Sequence, residues 1–234
     1  MKILLATLYD DLKTYCLKQF AEGVKKLNPQ PDKIVFVVDR KKVFPILKYV
    51  FPDSVILTME SYEDMLDAVG NGRNIVIDYA RKNKFDYIFF LDADVVCHPE
   101  TIRMLIDINE GISGGLVCRR CEPYTSMKPW FNNYIKRQNG TSWYPEGDFQ
   151  PNEIIDVDWT GNDCMMISKE VFNSQDYRWR ITSPREAEDF SFCQDATKRG
   201  FKVKVHASVW TEHMGLWETF STKEGKIRRI KIEK

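Results

Sequence analysis

Neither sign of charge predominates in this chain, since 34 lysines and arginines balance 34 aspartates and glutamates among 234 residues. Without a basic excess there is no global footprint for nucleic acid, and without an acidic tail there is no scavenging surface, so recognition has to be local. Long apolar runs are missing as well. The longest, Ile34 to Val38 and Tyr87 to Leu91, fall far short of the roughly 18 to 20 residues that a membrane span needs. The opening Met1-Lys2-Ile3-Leu4-Leu5-Ala6-Thr7 is a strand-length run, too short in its apolar stretch for a secretory signal. Of the cysteines, Cys16, Cys97, Cys118, Cys121, Cys164 and Cys193 are scattered, and the one CxxC, Cys118 to Cys121, has no second pair to complete a zinc site. The expectation is a cytoplasmic protein with free thiols, in contact with a membrane at most peripherally, at its cytosolic face. In that setting Asn139-Gly140-Thr141 reads as a turn rather than a glycan acceptor.

What is present is an alternation of strand and helix, which predicts an α/β fold with a mostly parallel, Rossmann-like central sheet flanked by helices. Strands are expected at Lys2 to Thr7, Lys33 to Val38, Ser54 to Thr58, Tyr87 to Leu91 and Ile112 to Cys118. Asp10 or Asp11 can cap a helix with apolar positions Leu12, Cys16, Phe20, Val24 and Leu27, stopped by Asn28-Pro29. Further helical stretches fall around Ser61 to Val69 and Arg73 to Asn83, and His98-Pro99-Glu100 opens another. Within one domain, residues 1–118 read as a nucleotide-binding half, followed by a second half at 119–215 and a tail at 216–234.

The Tyr87 to Leu91 strand delivers the chain into Asp92-Ala93-Asp94. Strand alternation would send both carboxylates to one side, where they repel unless a cation sits between them. Hard divalent ions suit such ligands and bridge to substrate phosphates, so a metal-diphosphate site is the leading reading; a turn or helix cap is the alternative. In open α/β sheets ligands sit beyond the carboxyl ends of the strands, where Thr7, Asp39 and Asp92 emerge.

Between Arg119 and Pro151 the texture changes to Pro123, Tyr124, Pro129, Trp130, Phe131, Tyr134, Trp143, Tyr144 and Pro145, a long irregular segment whose rings suit sugar faces or a local aromatic core. Ile154 to Trp159 and Cys164 to Ile167 read as strands around Thr160-Gly161-Asn162-Asp163. Ser183-Pro184-Arg185-Glu186 reads as a capping box for a helix with Glu188-Asp189 early and Gly200 at its end. Those two acids are either partners of the helix dipole or a general base for an acceptor hydroxyl. After the alternating strand Phe201 to Ala207, His213-Met214-Gly215 offers a histidine that is either buried and hydrogen-bonded or a third metal ligand beside Asp-x-Asp; His206 and His98 read as structural.

In order, Phe90-Leu91-Asp92-Ala93-Asp94, Gly161-Asn162-Asp163-Cys164, Glu188-Asp189-Phe190-Ser191-Phe192-Cys193 and His213-Met214-Gly215 resemble the GT-A fold glycosyltransferases, closest to the large inverting family of small soluble domains. The resemblance spans Lys2 to about Gly215. It implies metal-dependent transfer of a sugar from a nucleotide-diphosphate sugar, UDP- or GDP-linked, to a hydroxyl of a glycan, lipid-linked or protein acceptor. It also implies roles. Asp94 and His213 would bind Mn2+ or Mg2+, with Asp92 on the ribose or the metal's water shell. Thr7, Tyr9, Asp39, Arg73 and Ala93 would line the nucleotide-sugar site, Trp159, Gly161 and Asn162 the acceptor side, and Asp189 with Glu188 would supply the base.

Two other readings stand beside it. The Phe89 to Val96 stretch also looks like the aspartyl-nucleophile motif of haloacid-dehalogenase-type phosphatases, with Asp92 as nucleophile, and the same fold could serve as a catalytically dead nucleotide-sugar-binding module. The basic-aliphatic alternation from Lys223 to Lys234 reads as a solvated edge strand or as a membrane-surface contact.

Overall fold

The computed structural model of the chain describes residues 1–60, 65–119, 130–131, 133–137, 140–143, 150–177, 188–216, 218–223 and 228–231. Its first half is built from β1 (Ile3–Leu8), β2 (Lys33–Val38), β3 (Val55–Thr58) and β4 (Tyr87–Leu91), paired in parallel in the order β3-β2-β1-β4, and all but the edge strand β3 are largely buried on both faces. Side-chain alternation divides their residues between two cores. Leu4, Ala6, Val35, Val37, Ile88 and Phe90 face one side, and Ile3, Leu5, Phe36, Val38, Phe89 and Leu91 the other. Both faces being dry, the strands read in sequence as unbroken apolar runs.

Crossover helices seal the two cores. α1 (Leu17–Lys25) and α2 (Phe44–Val50) lay Phe20, Val24 and Leu47 on one face, and α3 (Met65–Asn83) lays Val76, Ile77 and Ala80 on the other. Two sequence expectations are corrected here. Leu12 is 79% exposed, because residues Asp11–Cys16 form a 3-10 helix and α1 begins only at Leu17; three residues per turn put Leu12 out of phase with the buried stripe. The stretches expected around 61–69 and 73–83 are joined, α3 running through Gly70 and Gly72 without a break. A Cβ at Gly72 would lie 2.9 Å from Leu8 Cδ2, so the glycine lets the helix lie close against β1.

The chain continues through β5 (Val95–Cys97), α4 (Thr101–Asp107), β6 (Ile112–Leu116) and β7 (Cys118–Arg119). The segment expected to be irregular carries backbone pairing: β7 with β8 (Trp130–Phe131), and β9 (Asn133–Arg137) with β10 (Gly140–Trp143). Cys121, Pro123, Tyr124, Pro129, Asn139, Tyr144, Pro145 and the Ser183 to Glu186 cap lie outside the described residues. The strand expected over Ile154 to Trp159 is two strands, β11 (Ile154–Asp156) and β12 (Trp159–Thr160), the latter paired with β9.

Next come β13 (Cys164–Ser168), α5 (Lys169–Ser174), α6 (Glu188–Lys198), β14 (Val203–Met214), β15 (Glu218–Ser221) and β16 (Arg228–Lys231). The main sheet has the order β16-β15-β14-β6-β13-β4-β1-β2-β3, with β13 antiparallel between β4 and β6 and β14 parallel to β6. β16 is an edge strand with all four residues exposed. Among the described residues no helix is long and apolar enough to cross a membrane. Cys16, Cys97, Cys118, Cys164 and Cys193 are buried free thiols.

Gly114 of β6 seats the segment that precedes Gly161-Asn162-Asp163. It lies beside Met165 of β13 and Val205 of β14, and a Cβ there would stand 2.4 Å from Thr160 Oγ1 and 3.1 Å from Thr160 Cβ. Backbone on both sides leaves Thr160 little room to yield. Gly114→Ala is expected to lower stability by about 1 to 3 kcal/mol through overpacking, read as a fall in the midpoint of thermal unfolding followed by circular dichroism.

Candidate active site

β4 ends at Leu91, and the next residues turn: Val95 N–H donates to Asp92 O at 2.9 Å, while Asp92 N–H donates to Asp163 O at 3.1 Å. The alternation expected to carry Asp92 and Asp94 to the same side therefore stops one residue before the first of them. Each carboxylate meets a different cation. Asp92 accepts from Arg73 Nη2 of α3 at 2.9 Å, and Asp94 accepts from Lys13 Nζ of the 3-10 turn.

Asp94 is 1% exposed. Its Oδ2 lies 3.5 Å from His213 Nε2 as well as against the Lys13 ammonium. The histidine arrives there because β14 pairs with β5, setting His213 opposite Val95, and because Met214 N–H donates to Asp94 O at 2.7 Å. His213 Nδ1 lies 2.8 Å from the carbonyl of Cys118. A carbonyl only accepts, so Nδ1 carries the proton and Nε2 is the atom presented to Asp94. Burial pushes the Asp94 carboxyl up, but His213 and Lys13 beside it outweigh that and hold the group well below the usual carboxylate range.

An aspartate oxygen and an imidazole nitrogen this close, with the imidazole's other nitrogen held by a carbonyl, are a fitting donor pair for a divalent ion that takes its remaining ligands from phosphate and water. Among the described residues no group of three or more His, Cys, Asp or Glu side chains could hold a metal. Asp92, expected at the metal or its water shell or on the ribose, is paired with Arg73 of α3 and not with the Asp94–His213 pair.

Arg73 is 3% exposed, with its guanidinium carbon 4.7 Å from the Phe90 ring centroid. Its Nε and Nη1 have no hydrogen-bond partner among the described residues. Burial pulls the guanidinium down, and Asp92, Tyr177 and Glu188 more than offset that, so it stays firmly charged. Beside it, Tyr177 OH donates to Asn162 Oδ1 at 2.6 Å, and Asn162 Nδ2 lies 3.4 Å from Glu188 Oε1. Asp189, in the first turn of α6, accepts from Phe190 N–H at 2.7 Å. Burial, then the charges of Glu188 and Asp163, push its carboxyl well above the usual carboxylate range, against the opposing pull of that N–H and of Arg73.

The other expected residues are placed as follows. Thr7 is fully buried, donating to Leu91 O at 2.8 Å, and Tyr9 is 3% exposed with its hydroxyl 3.2 Å from Thr14 Oγ1. In this structure both brace the strand ends and offer a ligand almost no side-chain surface. Asp39 sits just past β2, partly exposed and 3.5 Å from Arg40 Nε. Ala93 is buried, its carbonyl accepting from Cys16 Sγ at 3.4 Å. Trp159 packs edge-on to Phe190 at 5.9 Å, and Gly161 and Asn162 are buried next to it. Lys13 and Tyr177 were not anticipated. Nothing in the local sequence marks Lys13, whose partner is 81 positions away; Tyr177 is positioned by stacking on Phe192 at 4.0 Å and by Asn74, which accepts from its N–H at 2.7 Å.

Comparison with known proteins fits this geometry. The model of glycosyl transferase family 2 matches residues 63–174, which include Arg73, Asp92, Asp94 and Asn162 but stop short of Asp189 and His213. No curated protein matches the sequence. Among solved structures, A197 from STIV superposes with a TM-score of 0.54 at 14% identity, covering 100% of this chain and 95% of that one. GalNAc-T7, solved with UDP, GalNAc and Mn2+, superposes with a TM-score of 0.66 at 13% identity over 92% of this chain and 44% of that one. S. aureus TarS 1-349 in complex with UDP gives 0.55 at 12% identity over 88% and 57%. This chain thus spans less than half of the GalNAc-T7 structure and little more than half of the TarS one. The phosphatase alternative finds no support among these comparisons. The sheet order and flanking helices agree with these solved structures, so the chain has the GT-A fold, and its residues 63–174 are similar to glycosyl transferase family 2.

Proposed function

We propose that the protein transfers a sugar from a nucleoside-diphosphate sugar to an acceptor hydroxyl, with inversion, in a divalent-metal-dependent reaction. The observation that carries this reading is the Asp94–His213 pair, a 3.5 Å approach of two ligand atoms with the histidine's other nitrogen already held by Cys118 O. UDP in the GalNAc-T7 and TarS structures, and Mn2+ in the former, favour a UDP-linked donor and Mn2+. Asp94 and His213 would hold the ion, which when bound supplies Lewis-acid neutralisation of the departing diphosphate.

The chain's own residues do the rest. Arg73, with two buried donors that have no partner among the described residues, is charged and would donate hydrogen bonds to donor oxygens, and Asp92 fixes its orientation. Asp189 accepts the proton of the acceptor hydroxyl as that oxygen attacks the anomeric carbon and the bond to the diphosphate breaks. Its raised proton affinity makes it a stronger base than an exposed aspartate. Glu188 contributes to that rise and braces Asn162. Trp159, Gly161 and Asn162 frame the acceptor side, Asp39 meets the nucleoside, and the acceptor is a glycan, lipid-linked or protein hydroxyl on the cytoplasmic side.

Calorimetric titration of UDP- and GDP-sugars, with and without Mn2+, tests the donor site. Metal-dependent binding is expected for wild type and its loss for Asp94→Asn and His213→Ala; metal-independent binding of equal strength in all three would refute the assignment. Arg73→Gln should weaken donor binding about tenfold to a hundredfold, the range for hydrogen bonds to a charged group.

Asp189→Asn should lower kcat by about a hundredfold to ten-thousandfold, as for loss of a general base. Wild-type activity should fall on acidification at a pH above the ordinary aspartate range, since only the ionised Asp189 accepts a proton. The stability effect has the opposite sense. A carboxyl with raised folded-state proton affinity favours the folded state while protonated, and that contribution is lost as pH rises through its folded value. Asp189→Asn should therefore flatten the decline in thermal stability on the alkaline side, measured by calorimetry across pH. Anomeric configuration of the product by proton NMR decides inversion against retention.

A further inference from the structure

Lys13 has no role in the transfer as described, yet it contacts the most deeply buried carboxylate of the metal pair. Asp94 at 1% exposure requires positive charge beside it. His213 does not supply this well by itself, because 3.5 Å from Nε2 to Oδ2 is long for a hydrogen bond. The Lys13 ammonium donates directly to the same oxygen.

The placement of Lys13 is built into the fold. Asp10 caps its turn by accepting from Leu12 N–H at 2.7 Å. Cys16 Sγ lies 3.1 Å from Lys13 O and 3.4 Å from Ala93 O, tying the turn to the Asp94 loop. Tyr15 OH donates to Met214 O at 2.9 Å, tying it to the residue after His213. Only the side chain is left free to move: 27% exposed, it has a path to solvent, and lysine is a compact charge on a flexible stem rather than a fork locked by several bonds.

We propose that Lys13 is the resident cation of the donor site, holding Asp94 Oδ2 until a divalent ion displaces it. The proposal rests on the metal reading above and adds to it a competition. An ion bound to Oδ2 and Nε2 and an ammonium on Oδ2 draw on the same oxygen and repel each other, so the lysine has to leave as the ion enters. The protein then binds its metal more weakly than the ligand pair alone would allow, and the site is never left as an unpaired buried charge.

The test is calorimetric titration of Mn2+ alone into the full chain. Lys13→Met should bind Mn2+ at least about tenfold more tightly than wild type, the scale of one close charge repulsion at a partly buried site, while Lys13→Arg, which keeps the charge, should stay close to wild type. Mn2+ should also raise the melting temperature of Lys13→Met more than that of wild type. Should Lys13→Met fail to fold, Lys13→Gln removes the charge while leaving a donor for Asp94, and the same gain is expected. Asp94→Asn in either background should abolish binding. Unchanged or weaker Mn2+ binding without the lysine charge, at a site still lost in Asp94→Asn, overturns the competition and leaves the metal reading standing. No Mn2+ binding in wild type and charge-removed variants alike overturns both.

Discussion

A carboxylate taken out of water must have positive charge against it, and Asp94 organises one end of the sheet around that requirement. Three separate elements meet there: the turn after β4 carrying the aspartate, the 3-10 helix carrying Lys13, and the end of β14 carrying His213. Uncharged hydrogen bonds to backbone carbonyls hold the meeting together as well, Met214 N–H donating to Asp94 O and Tyr15 OH to Met214 O. The charged groups therefore share a frame that persists when one of them changes partner.

On the α3 side of the same turn the electrostatics run the other way. Arg73 is buried near Asp92, Glu188, Asp189 and Tyr177, and its Nε and Nη1 have no hydrogen-bond partner among the described residues. Burial first, and then the charges of Glu188 and Asp163, leave Asp189 holding its proton strongly. In the proposed reaction, leaving-group charge and acceptor proton would be handled by two differently charged environments, linked by the Asp92–Asp163 backbone bond. That division is what displacement at a sugar carbon requires. The concave surface of about 240 Å³ around Lys25, Lys33 and Phe51 lies at the starting end of β2 and contains none of this chemistry.

Much of the frame was legible because burial on both faces leaves a strong mark. β2 and β4 fall on their apolar runs, and the parallel order follows from intervening helices. Legibility failed where a contact from elsewhere in the chain sets the outcome. Two helical stretches were expected around 61–69 and 73–83, yet α3 is unbroken between them, and close approach to Leu8 favours a glycine at position 72. Strand alternation placed Asp92 and Asp94 together, but the turn closed by Val95 N–H on Asp92 O begins as soon as β4 ends. Asp94 and His213 were readable as a pair from motif order; Lys13 was not, since a lysine in a polar turn looks solvated until its partner is known. Thr7 and Tyr9 were assigned by position at a strand end, which does not report that their hydroxyls are already engaged inside the fold.

The account turns on whether Asp94 and His213 share a divalent ion when donor nucleotide is bound. Crystals grown with UDP and Mn2+, with anomalous diffraction collected at the manganese edge, answer this directly. The expected result is one anomalous peak bonded to Asp94 Oδ2 and His213 Nε2, with the Lys13 ammonium moved off the carboxylate. UDP bound with no manganese at that pair and Lys13 still on Asp94 would contradict it.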